Sequence, residues 1–223
     1  MNKDKLILIG AGGHAHACID VIEQQGQYQI VGMIGVDKEK NKLHLGYKVI
    51  AIDDELSQLA KDYKYAFISV GQTQKPDVRI HLYQQALKLG FQFPIIISPT
   101  AYVSCHALIG PGTIIMHGAV INAGAKLGSN CIINTRSVIE HDTIVNDHCH
   151  ISTGAILNGD VEIGEASFVG SGSIIKEGIS KKINPILRKI VTTKEGTAGL
   201  VNIEGYEVGG KTGTAQKTIV GGY

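Results

Sequence analysis

AYVSCHALIGPGTIIMHGAVINAGAKLGSNCIINTRSVIEHDTIVNDHCHISTGAILNGDVEIGEASFVGSGSIIKEG, residues 101–178, repeats every six residues. Stepping by six from Val103, every position as far as Ile175 is Val, Ile or Leu, thirteen in thirteen steps. Two residues before each stands a small or β-branched residue, among them Ala107, Thr113, Cys131, Ser137 and Ala155. The next step lands on Lys181, and the register ends there.

A strict hexapeptide period is the mark of a parallel β-helix. The aliphatic residue points into a narrow prism, and the small one fits where the chain bends. Stacked rungs bury a continuous core that no single rung could bury alone. An α-helix would need apolar residues at three- and four-residue spacing, and a β-sandwich would space its strands unevenly. The rungs resemble the left-handed β-helix of the hexapeptide-repeat acyltransferases, which implies three rungs per coil and a little over four coils here.

The 223 residues, 43% hydrophobic but only 5% aromatic and without Trp, suit a solenoid filled by Ile, Val and Ala. A net charge of +1 gives no electrostatic case for nucleic acid or an anionic membrane. No apolar run approaches membrane-spanning length, and the N-terminus lacks a signal-peptide plan, so a cytoplasmic protein is expected. Cys18, Cys105, Cys131 and Cys149 lack close metal-ligand spacing and read as reduced thiols.

Residues 1–97 read as a small parallel α/β domain. Strands are predicted at Leu6–Ile9, Ile30–Val36 and Ala66–Val70, with helices at His16–Gln25 and Pro76–Leu89. The turn Gly10-Ala11-Gly12-Gly13-His14-Ala15 has the G-x-G-x-x-A spacing of a dinucleotide fingerprint. Such glycines let backbone amides approach a phosphate at a helix N-terminus. Asp37, beyond the second strand, is placed to accept a ribose hydroxyl, and Gly71 closes the third strand. Alone the motif suggests NAD, but the domain lacks a second mononucleotide half, so one nucleotide sugar fits better. A glycine turn serving packing alone is the structural alternative.

The Gly-Ala-Gly-Gly-His start, together with Ser137-Val138-Ile139-Glu140-His141-Asp142, is similar to the bacterial sugar acetyltransferases of the sialic-acid O-acetyltransferase type. That group includes N-acetyltransferases acting on UDP-linked 4-amino sugars. The resemblance covers about residues 5–179. It implies a UDP-sugar held by the N-terminal domain through Gly10, Gly12, Gly13, His14, Asp37 and Gly71. It also implies acetyl-CoA lying between the prisms of a homotrimer.

Acetyl transfer from a thioester needs the acceptor amine or hydroxyl deprotonated as it attacks, usually by a His. His141 matches the family's catalytic His, with Asp142 as the acid that orients it. Ala123 and Gly159, one coil away on either side, are small, which leaves space over the ring for acceptor and thioester. An exposed corner His without a role is the alternative. His148 and His150 form an H-x-H pair that alternation places on one face of a strand. No third metal ligand accompanies them, and no metal is expected. By resemblance His150, with Gly154 and Gly172, contacts acetyl-CoA, whereas His106 and His117 are expected at the surface.

Three segments are expected: a nucleotide-sugar domain (1–97), an acyltransferase β-helix (98–180) and a tail (181–223). The family pattern continues through further coils; here Leu187–Lys217 resembles a fragment of a penicillin-binding-protein transpeptidase domain around Lys211-Thr212-Gly213. Its serine partners are missing, so acylation of a β-lactam is not expected. Gly205, Gly210, Lys211 and Thr212 also fit a phosphate-loop pattern, but no helical period follows them. An acetyl-CoA-dependent sugar acetyltransferase for surface glycans is the leading reading. A trimeric remnant that lost its CoA-gripping coils is the alternative, and an NAD oxidoreductase is disfavoured.

Overall fold

The computed structural model describes residues 3–72 and 76–176. The expectations for the tail, an apolar cap at Ile183, Ile186 and Leu187 and a mobile stretch from Thr192, lie outside the described residues.

The apolar run of β1 (Asp4–Ile9) buries its last four residues completely, as suits a central parallel strand. Helix α1 (Gly13–Gln25) buries Ala15, Cys18, Ile19 and Ile22, the spacing of one helical face. Gly26 ends it in the left-handed conformation, φ 71°, returning its N–H to the Ile22 carbonyl. Then follow β2 (Tyr28–Gly35), β3 (Leu43–His44), β4 (Tyr47–Ile52), α2 (Leu56–Asp62), β5 (Tyr65–Ile68) and α3 (Asp77–Lys88). The sheet order is β3-β4-β2-β1-β5. Four strands run parallel: β1, β2 and β5 are the three that the sequence predicts and β4 is additional, while β3 is a short antiparallel edge that forms a hairpin with β4. The hairpin escaped the sequence reading because its first strand is only two residues long.

From Ile96 the chain winds into a left-handed parallel β-helix of two-residue strands. Each strand pairs with the one eighteen residues later, Val120 with Val138 and Lys126 with Ile144. The second residue of each pair points inward, so Ile115, Ile121, Ile133, Ile139 and Leu157 are fully buried. The small residues lie just beyond each bend, and Thr113, Ala119, Cys131 and Ser137 are fully buried too. Ile96–Ile97 is already a rung, paired with Ile114–Ile115, so the prism begins one step before the repeat quoted above.

Three faces result. The first face carries Ile114, Ile132 and His150 and packs against the α/β sheet and α1. The second carries the column Tyr102, Val120, Val138, Ile156 and Ile174. The third carries Leu108, Lys126, Ile144 and Glu162. Among the described residues no helix is long and apolar enough to cross a membrane.

Candidate active site

His141 and Asp142 form the bend between the second-face strand Val138–Ile139 and the third-face strand Ile144–Val145. Asp142 takes φ 59°, the left-handed conformation on which the corners from Gly112 to Gly172 turn and which Asp tolerates better than most residues. This geometry brings its carboxylate Oδ2 to 3.0 Å from Nδ1 of His141. Both side chains are about two-thirds exposed, 66% and 69%. One coil earlier, Asn122 donates to Glu140 Oε2 at 2.9 Å and steadies the residue before the His.

Glycines on the neighbouring coils make room for this pair. A Cβ at Gly159 would lie 2.6 Å from Cε1 and Nε2 of the His141 ring, and a Cβ at Gly124 would strike the Asp142 carboxylate. The sequence reading had the space over Gly159 open for acceptor and thioester; the imidazole itself fills it.

The glycine turn divides into two kinds of residue. Gly10 has φ 117°, and a Cβ there would meet Val70 Cγ2 at 2.5 Å. Its N–H donates to the Ile34 carbonyl and its carbonyl accepts from Ser69 Oγ. Gly71 packs against His14, with 3.1 Å from its Cβ position to that of His14. These two glycines are closely packed, Gly10 without room for a Cβ and Gly71 with room only if His14 gives by a few tenths of an ångström. Gly12 and Gly13 are not: a Cβ at either would meet open space. They form the N-cap and first residue of α1, where amides and helix dipole favour an anion, and no acidic residue occupies the first turn. Asp37 is exposed and opens a 3-10 turn just past β2.

His14 has a buried Nε2 with no hydrogen-bond partner. Burial first, then Arg79 and His150, hold its pKa down at about 3, so it is neutral. His150 on the first face is also buried. Its Nδ1–H donates to the Gln72 carbonyl, and Asn134 Nδ2 donates to its Nε2 at 3.1 Å. Both ring nitrogens are thus occupied, and burial keeps the pKa below the usual histidine range. Gly154 and Gly172, φ 67° and 68°, stack at the corner between first and second faces, each with open space where a Cβ would stand.

His148 does not share a face with His150. It occupies a corner at φ 61°, with Nδ1 3.0 Å from Asn130 Nδ2 and its ring edge-on to Tyr83. The alternation rule fails because a two-residue strand ends before it can alternate. No group of three or more metal-ligating side chains occurs among the described residues. His106 is exposed, but His117 is not an idle surface residue. Its Nε2 meets Asp20 Oδ2 on α1 at 2.9 Å, and its Nδ1 meets Ser98 Oγ at 2.7 Å. Arg79, Gln72 and Tyr83 were missed in the sequence, where a basic residue in an amphipathic helix reads as solvent-facing.

Within one chain the site is divided. The α/β domain with its glycine turn covers the first face, whereas His141 stands at the opposite corner of the triangle, between second and third faces.

Comparison with known proteins bears on this arrangement. The PglD N-terminal domain profile matches residues 5–86, and the six-repeat bacterial transferase hexapeptide profile matches residues 106–141. The profile of the penicillin binding protein transpeptidase domain matches residues 164–223, of which 164–176 lie in prism coils here. The acetyltransferase domain of PglB from Neisseria gonorrhoeae, solved with acetyl coenzyme A, is 33% identical with a TM-score of 0.70, covering 78% of this chain and 82% of that one. A mutant of perosamine N-acetyltransferase from Caulobacter crescentus, solved with CoA and GDP-perosamine, is 27% identical. Its TM-score is 0.68, with coverage of 77% and 88%. WeeI from Acinetobacter baumannii AYE, at 22% identity and a TM-score of 0.67 over 78% and 82%, shares the fold. A search of curated proteins found no match.

Proposed function

This chain belongs to the PglD-like hexapeptide-repeat acetyltransferases, and we propose that it acetylates a nucleotide-activated sugar from acetyl-CoA with His141 as the base. The observation that carries the reading is the His141–Asp142 pair at 3.0 Å, seated on Gly159 and Gly124. With Nδ1–H donated to Asp142, the basic lone pair lies on Nε2. That nitrogen takes the proton from the acceptor amine or hydroxyl as it attacks the thioester carbonyl. The tetrahedral adduct then expels the CoA thiolate, which leaves with a proton returned by the imidazolium. Asp142 stabilises the charged ring in between.

Gly12 and Gly13 supply amides to the diphosphate, His14 borders it, and Asp37 accepts a ribose hydroxyl. Gly10 and Gly71 shape the turn from behind. Gly154 and Gly172 are the proposed acetyl-CoA contacts, in a cleft between neighbouring prisms; His150, expected beside them, is buried on the first face with both ring nitrogens bonded. Because glycine turn and His141 lie on opposite sides of one prism, the reading requires a neighbouring copy, and a homotrimer supplies it. The apolar column on the second face, with Tyr102 and Ile174 58% and 59% exposed, supports this assembly.

Calorimetric titration with acetyl-CoA, followed by a thiol-release screen over UDP- and GDP-linked amino sugars, tests the proposal. Binding with sugar-dependent CoA release is expected. A second reading, a prism impaired in CoA binding, is favoured by the transpeptidase match that begins inside the repeat at residue 164. A folded, trimeric protein without affinity for acetyl-CoA would decide for it.

A further inference from the structure

Arg79 on α3 is a buried cation that the reaction above does not use; it is 1% exposed. Nη1 donates to the carbonyls of Ile68 and Val70, each at 2.7 Å, and Nε donates to the Asn130 carbonyl on the prism at 3.3 Å. Nη2 is buried without a partner. Among the described residues no carboxylate forms an ion pair with it. Carbonyl dipoles satisfy donors but do not neutralise a unit charge, and burying an unpaired ion is costly. None of its ionisable neighbours among the described residues is a counter-ion: burial pushes the Cys18 thiol up to about 12 and raises the Tyr83 hydroxyl, and the Cys131 thiol faces the carbonyls of Ser129 and Asn146 as a donor.

The location of this charge is specific. Val70, whose carbonyl Arg79 holds, is the residue against which Gly10 packs, and the next residue, Gly71, lies on His14. The guanidinium is therefore linked through Val70 to Gly10 and through Gly71 to His14, the residues that flank Gly12 and Gly13 in the turn. Its field is felt there, because after burial it is the next cause of the depressed pKa of His14.

We propose that Arg79 is a positioning residue for the anionic part of the substrate. Its unneutralised guanidinium adds positive potential to the N-terminus of α1, and a nucleoside diphosphate bound there is its missing counter-charge, although the two do not touch. The inference rests on the reading of Gly12 and Gly13 as a diphosphate cradle. The same field adds to the burial that keeps His14 neutral, since it disfavours a second cation beside the phosphate site. At the effective dielectric of a protein, a unit charge near a diphosphate but not touching it alters affinity by roughly 10- to 100-fold.

The test compares wild type, Arg79→Gln and Arg79→Lys by titration with UDP, GDP and the corresponding uncharged nucleosides. Arg79→Gln is expected to lose roughly 10- to 100-fold for the diphosphate while nucleoside affinity stays nearly constant, and Arg79→Lys to restore the ratio. The His14 ring proton, followed by NMR against pH, should titrate higher in Arg79→Gln. Cys18→Asp places a carboxylate beside Arg79 without removing its hydrogen bonds, and should weaken diphosphate binding alone even if Arg79→Gln fails to fold. Equal losses for diphosphate and nucleoside, with His14 unmoved, would reduce Arg79 to a structural clamp and overturn the proposal. A wild-type protein that binds nucleosides but gains nothing from a diphosphate would overturn the cradle reading itself.

Discussion

The imidazole of His141 rests on the backbone of Gly159, one coil further along the prism, and takes the volume in which a side chain at 159 would begin. Position and orientation of the base therefore depend on a hydrogen atom at a residue with no chemistry of its own. Gly159→Ala should tilt the ring away from Asp142 and lower kcat by about 100-fold, the scale of an ångström of misplacement. His141→Ala should lower it by about 10²–10⁴-fold, as loss of a general base does. Neither should shift the melting temperature much, because the ring is mostly solvent-exposed. Steady-state kinetics beside thermal unfolding checks both; full activity in His141→Ala would remove it as the base.

Gly10 and Gly12 belong to the same turn and should fail in opposite ways. Gly10→Ala forces a β-carbon into Val70 at a positive φ and should cost about 1–3 kcal/mol of stability. Gly12→Leu meets no protein atom, so the fold should hold while nucleotide affinity disappears. Acetyl-CoA affinity should survive that change. Chemical denaturation and calorimetry separate the two outcomes; a destabilised Gly12→Leu would make this glycine a packing residue as well.

What was legible in the sequence follows the range of the interaction. The hexapeptide period reports the prism because each inward position is decided by its own rung and the one below. The α1 turn is legible for the same local reason. The difference between Gly10 and Gly12 is not, since it is made by Val70, sixty residues away in the chain from Gly10. The clasp of His117 on Asp20 joins residues 97 positions apart, and nothing in either neighbourhood announces it. His148 and His150 misled because alternation was applied across a corner. The roles proposed for His141 and Asp142 are what the family resemblance implies; the eighteen-residue stacking already points to Gly159, and the structure adds that the imidazole itself fills the space there.

Acid should destabilise the protein before its carboxylates titrate. The unfolded chain takes up a proton at His14 below about pH 6.5, whereas the folded chain refuses it down to about pH 3. The unfolded state then binds more protons across that window, so stability present above it is lost as pH falls. For His14 the loss is about 2 kcal/mol between pH 7 and pH 5. Burial also depresses His148 and His150, which steepens the slope. Urea unfolding at several pH values should show the decline, and His14→Gln should flatten it. Parallel slopes in the two proteins would mean that His14 titrates normally in the fold.

The second face should be the subunit interface, and charge placed on it should take the assembly apart. Val120, Val138 and Ile156 stand one above another with Tyr102 and Ile174 at the ends, an uninterrupted apolar column. The third face breaks its column with Lys126 and Glu162, as a solvated surface does. Residue 156 points outward while its neighbour Leu157 is wholly buried, so Ile156→Lys alters the face without entering the core. In a trimer the substitution buries an unpaired ammonium at each interface, at a cost of several kcal/mol per copy. Light scattering should therefore show a trimer for wild type and a monomer for Ile156→Lys, with acetyl transfer lost although the far-UV spectrum is unchanged. Glu162→Lys on the third face serves as the control and should remain trimeric. Because His141 adjoins the second face and the glycine turn covers the first, the monomer should still bind nucleotide. A wild-type protein that is monomeric at micromolar concentration yet active would show that one prism completes the site alone.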